Sequence, residues 1–150
     1  FWHPYQLAPM DIAEPDFYAR RAASLHQRLA SLPDKHAIMN ALRCAYNGYH
    51  GQLNRWVQWR AFALPDALLM IDAMPMEAIL ALLQRFIAVG DGALSGLPDL
   101  FACDDKGYAF YEVKGPGDQL QINQRLWLNF LAQRGIPCGV IKVTWQSGEQ

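Results

Sequence analysis

Gly96-Leu97-Pro98-Asp99-Leu100-Phe101-Ala102-Cys103-Asp104-Asp105-Lys106-Gly107-Tyr108-Ala109-Phe110-Tyr111-Glu112-Val113-Lys114-Gly115-Pro116-Gly117 is the stretch that decides the fold. Residues 99–103 read as a short strand, Asp104-Asp105-Lys106-Gly107 as a tight hairpin turn, and residues 108–114 as the returning strand. Side chains alternate across a strand, so Tyr108, Phe110, Glu112 and Lys114 share one face and Ala109, Tyr111 and Val113 the other. With the turn centred on Asp105-Lys106, Asp99 falls opposite Glu112. Gly115-Pro116-Gly117 then stops the strand.

Downstream, Asp118 with Gln121 predicts a capping box for a helix that ends at Gly135. Residues 138–145 are β-branched and predict a final strand needing a parallel or mixed partner across that helix. Upstream the pattern is helical to about Val89. A first helix takes Pro15 in its first turn and runs to about Leu32, burying Phe17, Ala22, Leu25 and Leu29. Asp34 caps a second helix through Tyr46, which Asn47-Gly48 and His50-Gly51 break. Trp56, Trp59 and Phe62 recur every third residue as a packing face. Pro65 and Pro75 each open a further helix, the stronger running from Met76 to Val89. Val89-Gly90-Asp91-Gly92 reads as a loop inside one domain, because neither side alone has residues enough for a comfortable core. The fold class is α/β: a small mixed sheet flanked by helices, with a helix-rich N-terminal half.

Composition agrees. A chain of 150 residues that is 52% hydrophobic and 18% charged builds one compact domain with a real core. No apolar run approaches the roughly 20 residues that span a bilayer, and the longest, residues 78–89, is interrupted by Gln84 and Arg85. The N-terminus has neither the basic start nor the apolar core of a signal peptide. It also opens without Met, which points to a fragment or a processed chain. Cys44, Cys103 and Cys138 form neither a zinc set nor a disulfide framework, which suits a reducing cytoplasm. His3, His26, His36 and His50 show no metal-ligand spacing. With 13 basic and 14 acidic residues the net charge is −1. Binding nucleic acid by bulk electrostatics is thereby excluded, and any DNA contact needs a local patch or residues beyond this chain.

The hairpin carries the chemistry. Hydrolysis of a phosphodiester builds negative charge on the leaving oxygen, which divalent cations held by carboxylates offset while they acidify a bound water. Mg2+ takes oxygen ligands and keeps several waters, so two or three carboxylates plus a backbone carbonyl suffice. Asp99 and Glu112 reach the same edge of the sheet, and the Val113 carbonyl can face the same cation. Lys114 lies about 6–7 Å along the strand from Glu112, where an ammonium can orient water or steady a phosphate oxygen. A lone Asp at a strand entry is ordinarily a turn residue, and Glu-x-Lys ordinarily a solvated pair. Here the Gly-x-Pro-Asp turn, the facing Glu-x-Lys and the trailing Gly-Pro-Gly meet one geometric requirement together.

GLPDL at 96–100, YEVKGPGDQL at 111–120 and QINQRLWL at 121–128 resemble the VRR-NUC domain of the PD-(D/E)XK nuclease superfamily. More narrowly, the chain is similar to the C-terminal part of the bacterial Fanconi-associated nucleases, with FWHPYQLAPMDI and DFYARR resembling the segment before that domain. The resemblance implies a restriction-endonuclease-like core at residues 34–150, led by a helical segment at 1–33. It implies that Asp99 and Glu112 bind Mg2+ or Mn2+ with help from the Val113 carbonyl, and that Lys114 serves the hydrolytic water. Gln124 matches a glutamine the family carries on the helix after the catalytic strand. The implied activity is structure-selective cleavage of branched or 5′-flap DNA, with 5′-to-3′ exonuclease action, in the repair of interstrand crosslinks. The implied compartment is the bacterial cytoplasm and its nucleoid, or the nucleus in a eukaryote, with no membrane.

Departures from the family matter too. Gln121 stands where the family often has Ser. The superfamily's helical Glu lies upstream of the segment matched by Phe1 to Asp11, and neither Glu14 nor Glu77 sits in its motif. The chain alone is therefore expected to bind metal weakly and cut poorly until an upstream segment supplies that carboxylate. Arg125, on the helix beside the site, is the preferred phosphate contact, followed by Gln124, and by Arg20 and Arg21 on the first helix with Arg28 and His26 nearby. His50 is an incidental loop histidine rather than a base, and Trp56, Trp59 and Trp127 belong to the core rather than to base stacking. The alternatives are a junction-resolvase-like or restriction-like endonuclease of the same superfamily, and a non-catalytic DNA- or protein-binding module on a nuclease fold.

Overall fold

The computed structural model describes residues 6–144. Trp145, where the final strand was expected to end, and the first five residues of the N-terminal match lie outside the described residues. Residues up to Ala88 form one compact unit and those from Val89 a second.

The first unit is helical. Helix α1 (Phe17–Ala30) begins after Asp16, and α2 (Lys35–Tyr49) is capped as expected, with Asp34 Oδ1 accepting from the Ala37 N–H at 2.8 Å. Asn47-Gly48 does not break α2, which runs on to Tyr49. One internal glycine costs a helix only about 1 kcal/mol, and the last turn is held by aromatic packing of Tyr46 on Trp59 and Phe62, each at 6.0 Å. Residues 51–63 hold no regular helix; Trp59 and Phe62 pack inward, whereas Trp56 is 37% exposed and leaves the expected face incomplete. Pro65 opens α3 (Leu64–Ala73), and α4 (Met76–Val89) follows Pro75, burying Ala78, Ile79, Ala81 and Leu82.

At the junction the expected loop is a short 3-10 helix (Gly90–Leu94). Beyond it, β1 (Leu100–Asp104) pairs antiparallel with β2 (Gly107–Lys114), Leu100 opposite Tyr111 and Asp104 opposite Gly107. The turn is thus the expected Asp105-Lys106, braced by Asp104 Oδ1, which accepts from the Lys106 and Gly107 N–H groups at 2.8 and 3.1 Å. Phe110, Glu112 and Lys114 are the buried residues of β2, as the alternation predicts. Helix α5 (Ile122–Gln133) starts one turn later than the sequence suggests: Gln124 Oε1 accepts from the Gln121 N–H at 2.8 Å. Asp118 caps nothing on α5; its carboxylate accepts from the Gly115 N–H at 3.0 Å and closes the Gly115–Asp118 turn.

Strand β3 (Cys138–Lys142) returns parallel to β2, Phe110 beside Cys138 and Lys114 beside Lys142. The sheet order is β1-β2-β3, the mixed sheet expected. Trp127, Leu131, Ile136 and Phe110 form its core. The Trp127 indole N–H donates to the Ala93 carbonyl at 2.8 Å, which satisfies its polar edge and ties α5 to the 3-10 helix.

Candidate active site

Asp99 stands just before β1, and the Leu100–Tyr111 register carries it opposite Glu112. Buried Pro98 stiffens the backbone ahead of it. The Asp99 carboxylate accepts from the Val113 N–H at 2.8 Å. It is thereby anchored to the strand that carries Glu112 and Lys114, on the residue between them.

Glu112 is 1% exposed. A buried carboxylate is costly unless its oxygens are matched. Its Oε1 is matched twice, by the Lys114 ammonium at 3.1 Å and by the Gln124 side-chain amide. The Gln124 carbonyl oxygen is already taken by the Gln121 N–H, so its NH2 is the end that meets Glu112. Glu112 Oε2, equally buried, has no partner among the described residues. One oxygen is held and the other is not.

The structure thus brings Asp99, Glu112, Val113 and Lys114 together at one end of the hairpin and joins Gln124 to them. Arg125, on the same helix, donates through Nε to the Leu120 carbonyl at 3.1 Å, and the rest of its exposed guanidinium is without a described partner. Arg20 and Arg21 lie in the first compact unit, engaged with acids. Arg21 meets Asp11 at 2.8 Å and stacks 3.9 Å over Phe17, while Arg20 reaches Asp11 at 3.1 Å and Asp16 at 3.4 Å. The Arg21 hydrogen bond holds the Asp11 carboxyl below its ordinary value. His50 packs between Tyr46 at 4.6 Å and Trp59 at 5.3 Å.

Lys142 was missed by sequence reasoning. The parallel register puts it beside Lys114, on the same face of the sheet, exposed and without an ion pair among the described residues. Only the pairing of β3 with β2 reveals this, and no local pattern encodes that register.

Whether these residues suit a divalent cation is decided by the donor set. An unmatched buried carboxylate oxygen, a neighbouring aspartate and a backbone carbonyl are the hard oxygen donors that Mg2+ and Mn2+ prefer. They fit, although no group of three His, Cys, Asp or Glu gathers among the described residues.

A mixed sheet that holds two acids and a lysine at one hairpin end, backed by a glutamine on the following helix, defines an α/β domain of nuclease type. The VRR-NUC domain matches residues 34–145, and the chain belongs to that family. The Fanconi-associated nuclease 1 homolog of Pseudomonas aeruginosa is 36% identical over 147 residues, 97% of this chain and 26% of that protein. The Caenorhabditis elegans homolog is 30% identical over 148 residues, 95% of this chain and 17% of that one. Among solved structures, paFAN1 bound to 2nt 5′ flap DNA with a gap superposes with a TM-score of 0.85 at 35% identity, covering 99% of this chain and 28% of that one. The complex with a 1nt 5′ flap gives 0.83 at 36%. The family and fold class expected from the sequence are thus borne out, and the chain spans only about a quarter of the bacterial relative.

Proposed function

We propose that this chain is the nuclease core of a metal-dependent, structure-selective DNA nuclease that cuts near 5′ flaps, with 5′-to-3′ exonuclease action, in interstrand crosslink repair. The observation that carries the reading is Glu112, buried, with one oxygen held by Lys114 and Gln124 and the other unmatched, on the residue that the hairpin register sets opposite Asp99. The relatives named as Fanconi-associated nucleases and the flap-bound paFAN1 structures support the substrate class.

Asp99, Glu112 Oε2 and the Val113 carbonyl would hold Mg2+ or Mn2+. Such a cation, when bound, acidifies water and offsets charge on the phosphate. Lys114 donates hydrogen bonds from an ammonium already aimed by Glu112, so it can orient the attacking water or a non-bridging oxygen without reorganising. Lys142 offers a second cation to a phosphate passing along the same sheet face. Arg125, in the first turns of α5, is a further phosphate contact; Gln124 serves chiefly to hold Glu112. Arg20 and Arg21 would meet DNA only with a charge already shared with Asp11. A segment upstream of this chain supplies the third carboxylate. No helix among the described residues is long and apolar enough to cross a membrane, and the protein works where its DNA is, in a bacterial nucleoid or a nucleus.

The test is cleavage of a 5′-flap duplex against Mg2+ and Mn2+ concentration, by this chain and by a longer protein containing it. The longer protein should cut, this chain poorly. Asp99→Ala and Glu112→Gln should each lower the longer protein's rate on the order of 100-fold or more. Flap binding without metal-dependent cutting in the longer protein would favour a non-catalytic binding module instead. Preferred cleavage of four-way junctions would favour the resolvase-like alternative.

A further inference from the structure

We propose that the contact between Ser95-Gly96 and the first turn of α5 is a positioning device for Glu112; this rests on reading Asp99 and Glu112 as the metal site. Gly96 has φ +79, and a Cβ there would lie 2.5 Å from the Asn123 carbonyl carbon and 2.6 Å from the Gln124 nitrogen. These are backbone atoms of a helix and cannot yield as a side-chain tip would. Next to it, Asn123 Nδ2 donates to Ser95 Oγ at 2.8 Å. The loop and the helix start are therefore interlocked, by a missing side chain at Gly96 and by a hydrogen bond at Ser95.

Each partner in that interlock holds one of the two acids. Three residues beyond Gly96, Asp99 grips the Val113 N–H on β2. One residue beyond Asn123, Gln124 fixes its own amide on the Gln121 N–H and donates to Glu112 on the same strand. Loop, helix, glutamine, glutamate, strand and aspartate close a circuit, so neither carboxylate moves without straining the other's support. Gln124 and Lys114 together select Oε1, which is what leaves Oε2 presented. A helix start displaced by a fraction of an ångström loosens the amide and lets the carboxylate turn. Ser95, Gly96 and Asn123 are thus positioning residues, acting on the cation through Gln124.

Mn2+ affinity without DNA, read from the EPR signal of free Mn2+, tests this on the longest protein that contains the chain. Ser95→Ala and Asn123→Ala should weaken Mn2+ binding about tenfold, as loss of groups that orient ligands does. Ser95→Thr, which keeps the hydroxyl, should bind as the parent does. Gly96→Ala should weaken it at least as much, and if that variant fails to fold the Ser95 and Asn123 variants decide. The KM for flap DNA should stay unchanged throughout. Glu112→Gln is the control: if it leaves Mn2+ affinity intact, the metal-site reading itself is wrong. If Glu112→Gln weakens binding while Ser95→Ala and Asn123→Ala bind like the parent, the site stands and the positioning device is refuted. Lower thermal stability of those two variants with unchanged Mn2+ affinity refutes it as well.

Discussion

Lys114 and Glu112 are each other's condition for burial. With Glu112 1% exposed and its ammonium partner 3.1 Å away, Lys114→Met strands a carboxylate that Gln124 alone must match. Breaking a buried pair from one side costs roughly 3 kcal/mol or more, and urea unfolding should record a loss of that order. Adding Glu112→Gln should recover most of it, because the charge then leaves with its partner. Half-buried Asp11 shows the weaker form of the same coupling. Arg21 lowers its pKa, so its ionised form stabilises the fold above the ordinary carboxylate range, and that stability is lost as pH falls through the lowered value. Asp11→Asn should lower stability slightly at neutral pH, and the difference from the parent should vanish in acid, which flattens the acid limb of a stability–pH curve. The acids and lysine were legible in the sequence because hairpin register is local: once the turn sits on Asp105-Lys106, Asp99 must face Glu112. The amide of Gln124 on Glu112 was not legible, since it joins a helix to a strand through side-chain rotamers.

Between elements, capping and packing compete for the same residues. Asp118 has the chemistry of an N-cap, yet it closes the Gly115 turn, and Gln124 takes the capping work at Gln121. Asp118→Ala should therefore disturb the loop after β2 while leaving the helix content of α5 intact, which amide exchange across residues 122–133 would resolve. Helix α2 carries Gly48 without breaking, and a Cβ there meets nothing within 4 Å at a helical backbone conformation. Gly48→Ala should raise stability by about 1 kcal/mol, read as a higher urea midpoint. Helix termini were the least legible features here, because tertiary partners such as Trp59 and Phe62 extend an element that local propensity would end.

Across the whole chain, a net charge of −1 means that, on the proposed function, DNA affinity rests on a few placed cations. Lys114, Lys142 and Arg125 sit in the second unit with the acids, and their substitution by Ala should reduce the salt dependence of flap binding by about one phosphate's worth each. The thiols grade by environment. Cys44 is exposed, whereas burial pushes the Cys138 thiol up, so alkylation should label Cys44 first and reach Cys138 only at higher pH.

Trp127 lies one helical turn beyond Gln124, almost wholly removed from solvent, with its indole N–H spent on the Ala93 carbonyl. An indole so placed emits at short wavelength, and it does so from the helix whose Gln124 holds Glu112. The chain thus carries its own optical gauge: with the other four of its five tryptophans replaced by Phe, a red shift from Trp127 would report α5 leaving its seat.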